Sequence, residues 1–345
     1  MKVLYDNIIF CAQKYGGVSR YFSEVIRRIA KYEDVVVDVF KGLSILPRRL
    51  SRFNKVLLDF KLLSHKYDIY HPTYYSNSIK KRKRIKTVVT VYDMIHELYA
   101  YKFEGINSGI EIKKNSILNA DHIICISKRS KKDLQKFYGI KDDMISVVYL
   151  GVSSDEIDRA HDTDFSTGNR PFILHVGNRK YYKNFNTFLK AFSISGIKND
   201  FNLVCFGGGS FSQEEISFFK KYNLLDSVKY IEGEDSMLKR YYRKAFMLAY
   251  PSFYEGFGLP ILEAMANNCP VIASNGGSIP EIAGDAAMFF YPDKEEEISL
   301  CIKRMINDND MRNAYIAKGK ERVKGFTWDK TAMETRDVYK KVLDK

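Results

Sequence analysis

The feature that most constrains the fold is the regular alternation of short apolar runs with amphipathic segments along all 345 residues. Runs predicted to be buried strands include KVLYD, VVVDVF, TVVTVYD and HIICIS in the first half, and PFILHVG, NLVCF and FMLAY in the second. The segments between them, such as SRYFSEVIRRIAKY and NFNTFLKAFSI, carry apolar residues at helical spacing. Strands that alternate with helices in this way form parallel sheets, so we predict an α/β protein.

The chain is longer than one typical domain, and two domains of about 160 residues are expected. From Glu156 to Asn169 the sequence is polar and has no periodicity, which indicates a linker. We therefore predict a first domain over residues 1–160, a second over 170–325, and a terminal amphipathic segment over 326–345. Ligands of open parallel sheets bind beyond the carboxyl ends of the strands, so residues that follow each strand are candidates for a site.

Composition excludes several classes of protein. No apolar run approaches the roughly 18 residues that a membrane span requires. The N-terminus carries Asp6 and indicates a first strand rather than a signal peptide. The five cysteines are far apart, lie in apolar segments and lack metal or redox spacing, which is typical of reduced thiols in a cytoplasmic protein.

The net charge of +13 is concentrated in the first half of the chain. Residues 1–165 contain 29 Lys and Arg against 20 Asp and Glu, a net charge of +9. This excess favours an anionic partner: nucleic acid, a membrane surface or a phosphorylated substrate. The tract Pro47–Leu63 mixes cations with apolar residues at helical spacing, which suits either a membrane surface or anionic acceptor, or a helix packed on its own domain. The tract Lys80–Lys86 is typical of a solvated loop.

The stretch richest in chemically informative residues is PSFYEGFGLPILE, residues 251–263, which follows an apolar strand candidate. Gly256 and Gly258 allow a sharp turn and a close approach of the backbone to a ligand. A helical pattern follows, and a helix N-terminus after such a turn offers N–H groups and a positive dipole end to phosphate or carboxylate. The candidate donors are Phe257, Gly258 and Leu259.

Two acids flank this turn, Glu255 in the loop and Glu263 in the helix. Carboxylates repel bound phosphate, so these two are better suited to accept hydrogen bonds from hydroxyl groups of ribose or a hexose. Phosphate flanked by two hydroxyl-binding acids predicts a sugar nucleotide as the ligand.

Residues 251–287, PSFYEGFGLPILEAMANNCPVIASNGGSIPEIAGDAA, resemble the signature of the family 4 retaining glycosyltransferases of GT-B fold. Glu255 and Glu263 match that family's E-x(7)-E motif. The similarity extends over nearly the whole chain and is most specific in the second half. It implies two Rossmann-like parallel-sheet domains that face each other across a cleft. The first would bind the acceptor and the second the nucleotide sugar, and the last helix would cross back onto the first domain.

Gly177, Arg179 and Lys183 directly follow the strand candidate PFILHV, with no acid nearby in the sequence. A diphosphate leaving group gains negative charge as its bond breaks, and two fixed cations stabilise that charge. The alternative is a solvated basic turn. The resemblance implies that both cations bind the donor diphosphate, that Glu255 holds the transferred sugar and that Glu263 holds the ribose.

The resemblance also implies roles for residues at other strand ends. Gly17 belongs to a glycine turn beside the donor phosphates and the acceptor, and Ile231, within YIEGE, lies where the base is recognised. Many family members have His-Asp where this chain has Tyr92 and Asp93, so Asp93 is left to orient an acceptor hydroxyl. The acids do not cluster with histidine as metal ligands would, so no metal or cofactor is expected.

The resemblance, together with these residues, implies a metal-independent retaining hexosyltransferase. Its donor would be a nucleoside-diphosphate sugar, with GDP-mannose favoured over UDP-sugars because YDNIIFCAQKYGGVSRYF resembles enzymes that assemble surface glycans. The acceptor would be a hydroxyl of a glycan or of a lipid-linked glycan. Such an enzyme would be cytoplasmic, with an option of peripheral contact with the inner face of an anionic membrane.

Three other functions agree less well with the sequence. A sugar-nucleotide epimerase of the same fold would need further acid–base groups in the cleft, and none cluster there in the sequence. A basic nucleic-acid-binding protein agrees with the charge, but no recognised motif of that class occurs, and we expect no nucleic-acid partner. A dinucleotide dehydrogenase is excluded because no G-x-G-x-x-G joins a strand to a helix.

Overall fold

A computed structural model describes residues 1–13, 16–41, 51–64, 66–102, 107–153 and 170–345. The chain separates into two compact units, which we call the first unit (Met1–Gly151 with Thr327–Lys345) and the second unit (Val152–Phe326). The predicted linker from Glu156 to Asn169 lies outside the described residues. Within the described part of the chain, no helix has the length and apolarity required to cross a membrane.

Six described strands form the sheet of the first unit. They are β1 (Lys2–Tyr5), β2 (Val36–Val39), β3 (Ile69–His71), β4 (Lys86–Val91), β5 (His122–Cys125) and β6 (Ile145–Val147). All pairs are parallel, in the order β2-β1-β3-β4-β5-β6. The helices described between them are α1 (Ile8–Ala12), α2 (Gly17–Ile29), α3 (Ser51–Leu63), α4 (Ile95–Leu98), α5 (Asn107–Leu118) and α6 (Lys128–Tyr138). The order reverses between β1 and β3, which makes their carboxyl ends the switch point of this sheet.

The second unit repeats the architecture with six parallel strands. They are β7 (Phe172–Val176), β8 (Asn202–Phe206), β9 (Val228–Ile231), β10 (Met247–Tyr250), β11 (Val271–Ser274) and β12 (Ala287–Phe290). Their order is β12-β11-β10-β7-β8-β9, so the switch point lies between β7 and β10. Both strands are buried along their whole length, as apolar strands covered on both faces must be.

Eight further helices complete the described chain: α7 (Phe185–Ile194), α8 (Gln213–Lys221), α9 (Asp235–Lys244), α10 (Leu259–Ala266), α11 (Ile279–Ala283), α12 (Glu295–Asn307), α13 (Asn309–Val323) and α14 (Trp328–Leu343). The predicted alternation of strands and helices is thus confirmed as two six-stranded parallel sheets with helices. Four of the five cysteines are buried as expected, whereas Cys11 is exposed because it lies on α1, which buries only Ile9.

Helix α14 belongs to the first unit, although it follows the second unit in the sequence. It packs against α2 and contributes to a buried polar cluster. The hydroxyl of Tyr339 lies 2.6 Å from that of Tyr5 and 2.6 Å from Nδ1 of His71. Nε2 of His71 lies 2.8 Å from the Thr90 hydroxyl. Burial lowers the pKa of His71 to about 3, so this cluster is uncharged at neutral pH.

Candidate active site

The candidate site lies at the switch point of the second unit, where the loops after β7 and β10 meet. Two hydrogen bonds join these loops: the Phe253 amide donates to the Tyr182 carbonyl at 2.8 Å, and the Asn184 side-chain amide donates to the Pro251 carbonyl at 3.1 Å. Asn184 has a φ of 55°, a left-handed conformation that asparagine tolerates better than most residues. The fold therefore brings together the basic segment after β7 and the acidic segment after β10, which the sequence singled out separately.

Lys183 and Glu255 form a buried ion pair. The Lys183 ammonium donates to Oε1 of Glu255 at 2.7 Å, and the two side chains are 11% and 10% exposed. Burial by itself favours the neutral amine, but the adjacent Glu255 carboxylate outweighs it and raises the pKa of Lys183 above its ordinary value. The ammonium also lies 5.3 Å from the ring centres of Tyr182 and of Tyr250. Lys183 is therefore charged at neutral pH.

A second glycine turn supports the loop that carries Glu255. The Ser278 amide donates to the Glu255 carbonyl at 3.1 Å, and the Ser278 hydroxyl lies 3.0 Å from that oxygen and 2.9 Å from the Phe257 carbonyl. Gly277 has a φ of 59°, and a Cβ there would lie 2.5 Å from the Glu255 amide nitrogen. The sequence did not reveal that this turn holds the loop of Glu255, because the contact joins residues that follow different strands.

Arg179 forms an ion pair with an acid that lies far away in the sequence. Its Nε donates to Oε1 of Glu215 at 2.5 Å, a pair 36 residues apart, and Lys183 and Glu255 are 72 residues apart. Neither cation has an acid nearby in the sequence, and the fold supplies one to each from a distant segment. Burial opposes the charge of Glu215, but the hydrogen bond from Arg179 holds its pKa below the usual range.

Three consecutive glycines also contribute to holding Arg179. Gly207, Gly208 and Gly209 have φ values of 78°, 81° and 83°, which glycine adopts without strain. The guanidinium donates to the carbonyls of Gly207 at 3.0 Å, Gly209 at 2.7 Å and Ser210 at 3.2 Å. This turn thus presents carbonyl oxygens to a cation, whereas a phosphate nest would present N–H groups. An open cavity of about 540 Å³ adjoins it, lined by residues after β7 and β8 and by the start of α8.

The turn before α10 has the geometry that its glycines predict. Gly258 has a φ of 97° and is the N-cap of the helix that Leu259 begins. Glu263 lies in the second turn of α10, where the Tyr242 hydroxyl of α9 donates to its Oε2 at 2.9 Å. Burial, with the Glu263 carboxylate beside it, raises the pKa of Tyr242 well above its ordinary value, so Tyr242 remains a donor. Tyr242 therefore orients the Glu263 carboxylate, a contact that the sequence did not indicate.

The remaining predicted residues lie at other strand ends, except Gly17, which follows helix α1. Gly177 follows β7 with a φ of 105°, and Ile231 ends β9, where its carbonyl accepts from the Gly207 amide at 2.8 Å. Gly17 and Asp93 belong to the first unit. Gly17 begins α2, and a Cβ there would meet no atom within 4 Å, so space alone does not require glycine. Asp93 accepts from the Ile95 amide at 3.0 Å and thus caps the turn after β4.

One buried histidine behind the site was not singled out by the sequence. His175 lies on β7, is 1% exposed, and has no hydrogen-bond partner of ordinary geometry for either ring nitrogen among the described residues. Burial, with the nearby charges of Lys183 and Arg179, lowers its pKa to about 3. His175 is therefore neutral at physiological pH and packs as an aromatic ring against Phe185 at 5.0 Å.

We expect His175 to make the second unit sensitive to acid. The pKa of His175 is about 3 in the folded chain and 6.5 ordinarily. As the pH falls between these values, His175 is protonated in the unfolded chain but stays neutral in the folded chain. The free energy of unfolding then falls by about 1.4 kcal/mol per pH unit, or about 2–3 kcal/mol between pH 7 and 4.5. Urea unfolding at both pH values should show a smaller loss in His175→Leu, and an equal loss in both proteins would contradict the prediction.

Metal binding has no obvious donor set here. Among the residues that the structure describes, no three His, Cys, Asp or Glu side chains come together in a group that could hold a metal ion.

Comparison with known families assigns the chain to a protein family. Residues 7–156 match the model of Glycosyltransferase Family 4, and residues 156–322 match that of Glycosyl transferases group 1. Together these matches span nearly all of both units. The chain therefore belongs to the family 4 glycosyltransferases, enzymes that transfer a sugar, and its two parallel sheets are those of the GT-B fold.

Individual relatives agree with this assignment. The O-antigen chain mannosyltransferase B of Escherichia coli is 25% identical, over 97% of this chain and 99% of the relative. The N-acetylgalactosamine-N,N'-diacetylbacillosaminyl-diphospho-undecaprenol 4-alpha-N-acetylgalactosaminyltransferase of Campylobacter jejuni is 29% identical, over 75% of this chain and 70% of the relative. The Anabaena protein Alr3699/HepE, solved in complex with UDP, matches 99% of this chain and 100% of its own with a TM-score of 0.74 and 16% identity.

Proposed function

We propose that this glycosyltransferase moves a hexose, with retention of configuration and without a metal ion, from a nucleoside-diphosphate sugar to a hydroxyl of a glycan or lipid-linked acceptor. The observation that carries the proposal is the buried Lys183–Glu255 pair at the switch point of the second unit. A nucleotide-sugar site needs cations for the diphosphate and acceptors for the sugar hydroxyls, and this pair provides one of each within 2.7 Å.

Each residue of the site has a definite task in this proposal. Glu255 accepts hydrogen bonds from hydroxyls of the transferred sugar, and Glu263, oriented by Tyr242, accepts those of the ribose. Lys183 has three N–H donors, of which Glu255 uses one, so the ammonium can also contact the diphosphate. Arg179 adds positive charge from the neighbouring turn. Asp93, in the first unit, orients the acceptor hydroxyl.

The chemical step is a substitution at the anomeric carbon. The bond from that carbon to the acceptor oxygen forms as its bond to the diphosphate oxygen breaks, on the same face of the sugar. The acceptor proton passes to the departing phosphate, and the nucleoside diphosphate leaves with the electron pair of the broken bond. Lys183 and Arg179 stabilise the charge that grows on the diphosphate, which preorganised charges do most effectively in a buried site.

Donor and acceptor are proposed from the relatives. The mannosyltransferase name of the Escherichia coli relative supports GDP-mannose as the donor, whereas the UDP complex of the Anabaena protein makes UDP-sugars the alternative. The diphospho-undecaprenol in the name of the Campylobacter jejuni relative supports a lipid-linked acceptor. With an acceptor of this kind, we propose that the enzyme acts at the cytoplasmic face of a membrane, in peripheral contact with anionic lipid.

The decisive experiment is to incubate the protein with GDP-mannose, UDP-glucose and other nucleotide sugars and to measure released nucleoside diphosphate. We expect GDP-mannose to be used, and Glu263→Gln to raise the donor dissociation constant roughly 10- to 100-fold because the ribose loses a charged acceptor. The exposed Glu296→Gln on α12 is the matched control and should bind normally. Release from no donor, or equal affinity in Glu263→Gln, would contradict the proposal.

A further inference from the structure

Helix α3 buries one apolar face and exposes another. Leu58 and Leu62 are 4% and 1% exposed and belong to the core of the first unit. On the opposite side, Val56, Phe60 and Leu63 are 49%, 66% and 61% exposed. Their spacing of four and three residues places them in one stripe along the helix. The helix therefore packs on its own domain and still presents an apolar stripe to solvent.

A basic tract lies beside this stripe. Arg82 donates to Oδ1 of Asp59 at 3.0 Å, and Asp59 lies on α3 between the buried face and the exposed stripe. Arg82 also donates to the Ser78 carbonyl at 3.2 Å, so the tract is fixed to the first unit. The other cations of the tract are exposed: Lys80, Lys81, Lys83 and Arg84.

We propose that the stripe of α3 and the tract Lys80–Arg84 together form a docking surface for an anionic lipid bilayer. Apolar side chains flanked by exposed cations are the combination that binds a membrane interface, where the former enter the headgroup boundary and the latter meet anionic headgroups. A nucleic acid would use the cations but leave Phe60 and Leu63 in water, so it fits this surface less well. This inference rests on the proposed function, in which the acceptor is lipid-linked. It identifies the surface through which such an enzyme would bind the membrane that carries its acceptor.

The surface differs from the one that the sequence indicated. The amphipathic tract Pro47–Leu63 was predicted to be either a membrane surface or a packed helix, and Lys80–Lys86 a solvated loop. The described part of α3 packs on the first unit with one face and presents the apolar stripe on the opposite face. The tract Lys80–Arg84 supplies the cations of the proposed surface. Arg48, Arg49 and the side chain of Arg52 lie outside what the structure describes.

Sedimentation with vesicles tests this surface directly. The full chain should pellet with vesicles of phosphatidylcholine and phosphatidylglycerol but not with phosphatidylcholine alone, and binding should weaken as salt rises. Removing three cations in Lys81→Ala/Lys83→Ala/Arg84→Ala should weaken binding about a hundredfold, since each cation near an anionic surface contributes about fivefold. Phe60→Ser/Leu63→Ser should weaken it at least tenfold.

Matched controls come from the second unit. Leu300→Ser removes a side chain that is 47% exposed on α12, and Lys320→Ala removes an exposed cation on α13. Both should bind vesicles like the wild type, and the two docking variants should still release nucleoside diphosphate from the donor at the normal rate. Three results would each refute the docking surface. They are a wild type that does not pellet with vesicles, docking variants that pellet normally, and control variants that bind vesicles as weakly as the docking variants. A chain that binds vesicles but uses no donor would refute the proposed function and leave the docking surface standing.

Discussion

Replacing Glu255 by alanine should lower the free energy of unfolding of the second unit by about 3–5 kcal/mol. The reason is that the Lys183 ammonium, whose side chain is 11% exposed, would stay buried without the carboxylate that balances it. Urea unfolding at pH 7, followed by circular dichroism, measures the change. This is one of the two largest effects that we expect in the protein, because desolvation makes a lone buried charge far more costly than a lost surface contact.

A double-mutant cycle separates this cause from a general disturbance of the loop. Lys183→Met in the same chain removes the charge, so Glu255→Ala/Lys183→Met should recover most of the lost stability. The pair Lys190–Glu295 is a suitable control because its side chains are 37% and 31% exposed, and breaking it should cost less than about 1 kcal/mol. If Glu255→Ala costs no more than this control, the buried pair does not carry the stability assigned to it.

The second large effect is on turnover. Lys183→Met and Arg179→Met should each reduce turnover on the order of 100- to 1,000-fold, because each removes about 3–4 kcal/mol of stabilisation from the charge that develops on the leaving diphosphate. Single-turnover kinetics with saturating donor, at a temperature where each variant is fully folded, measure the chemical step. Lys190→Met is the control and should turn over normally.

The stability and turnover experiments together distinguish structure from catalysis. The double variant Glu255→Ala/Lys183→Met should be nearly as stable as the wild type and yet inactive, since neither the sugar nor the diphosphate would meet its charged partner. A stable Lys183→Met or Arg179→Met variant with wild-type turnover would remove that residue from the diphosphate site.

The local pattern of the sequence by itself determined the strands, the glycine turn before α10 and the placement of the candidate site residues after strands. Short apolar runs such as PFILHV became buried strands, in which pairing with neighbouring strands satisfies their N–H and C=O groups away from water. The turn at Gly258 could be predicted because it needs a φ of 97°, which few residues other than glycine adopt. The position of Glu255 and Lys183 beyond strand ends followed from the same pattern, as did the family resemblance that the comparisons confirmed.

Which residues meet was decided by the tertiary structure. Lys183 pairs with Glu255, 72 residues away, because the sheet order places β7 beside β10, and nothing local in the sequence specifies that order. Arg179 reaches Glu215, Ser278 holds the Glu255 loop and Tyr242 orients Glu263 for the same reason. The face of α3 that stays exposed was likewise undetermined, because helical spacing reveals apolar faces but not which of them the rest of the chain will cover. Spacing along a chain determines local geometry, whereas charge pairing and burial depend on packing between segments that are distant in sequence.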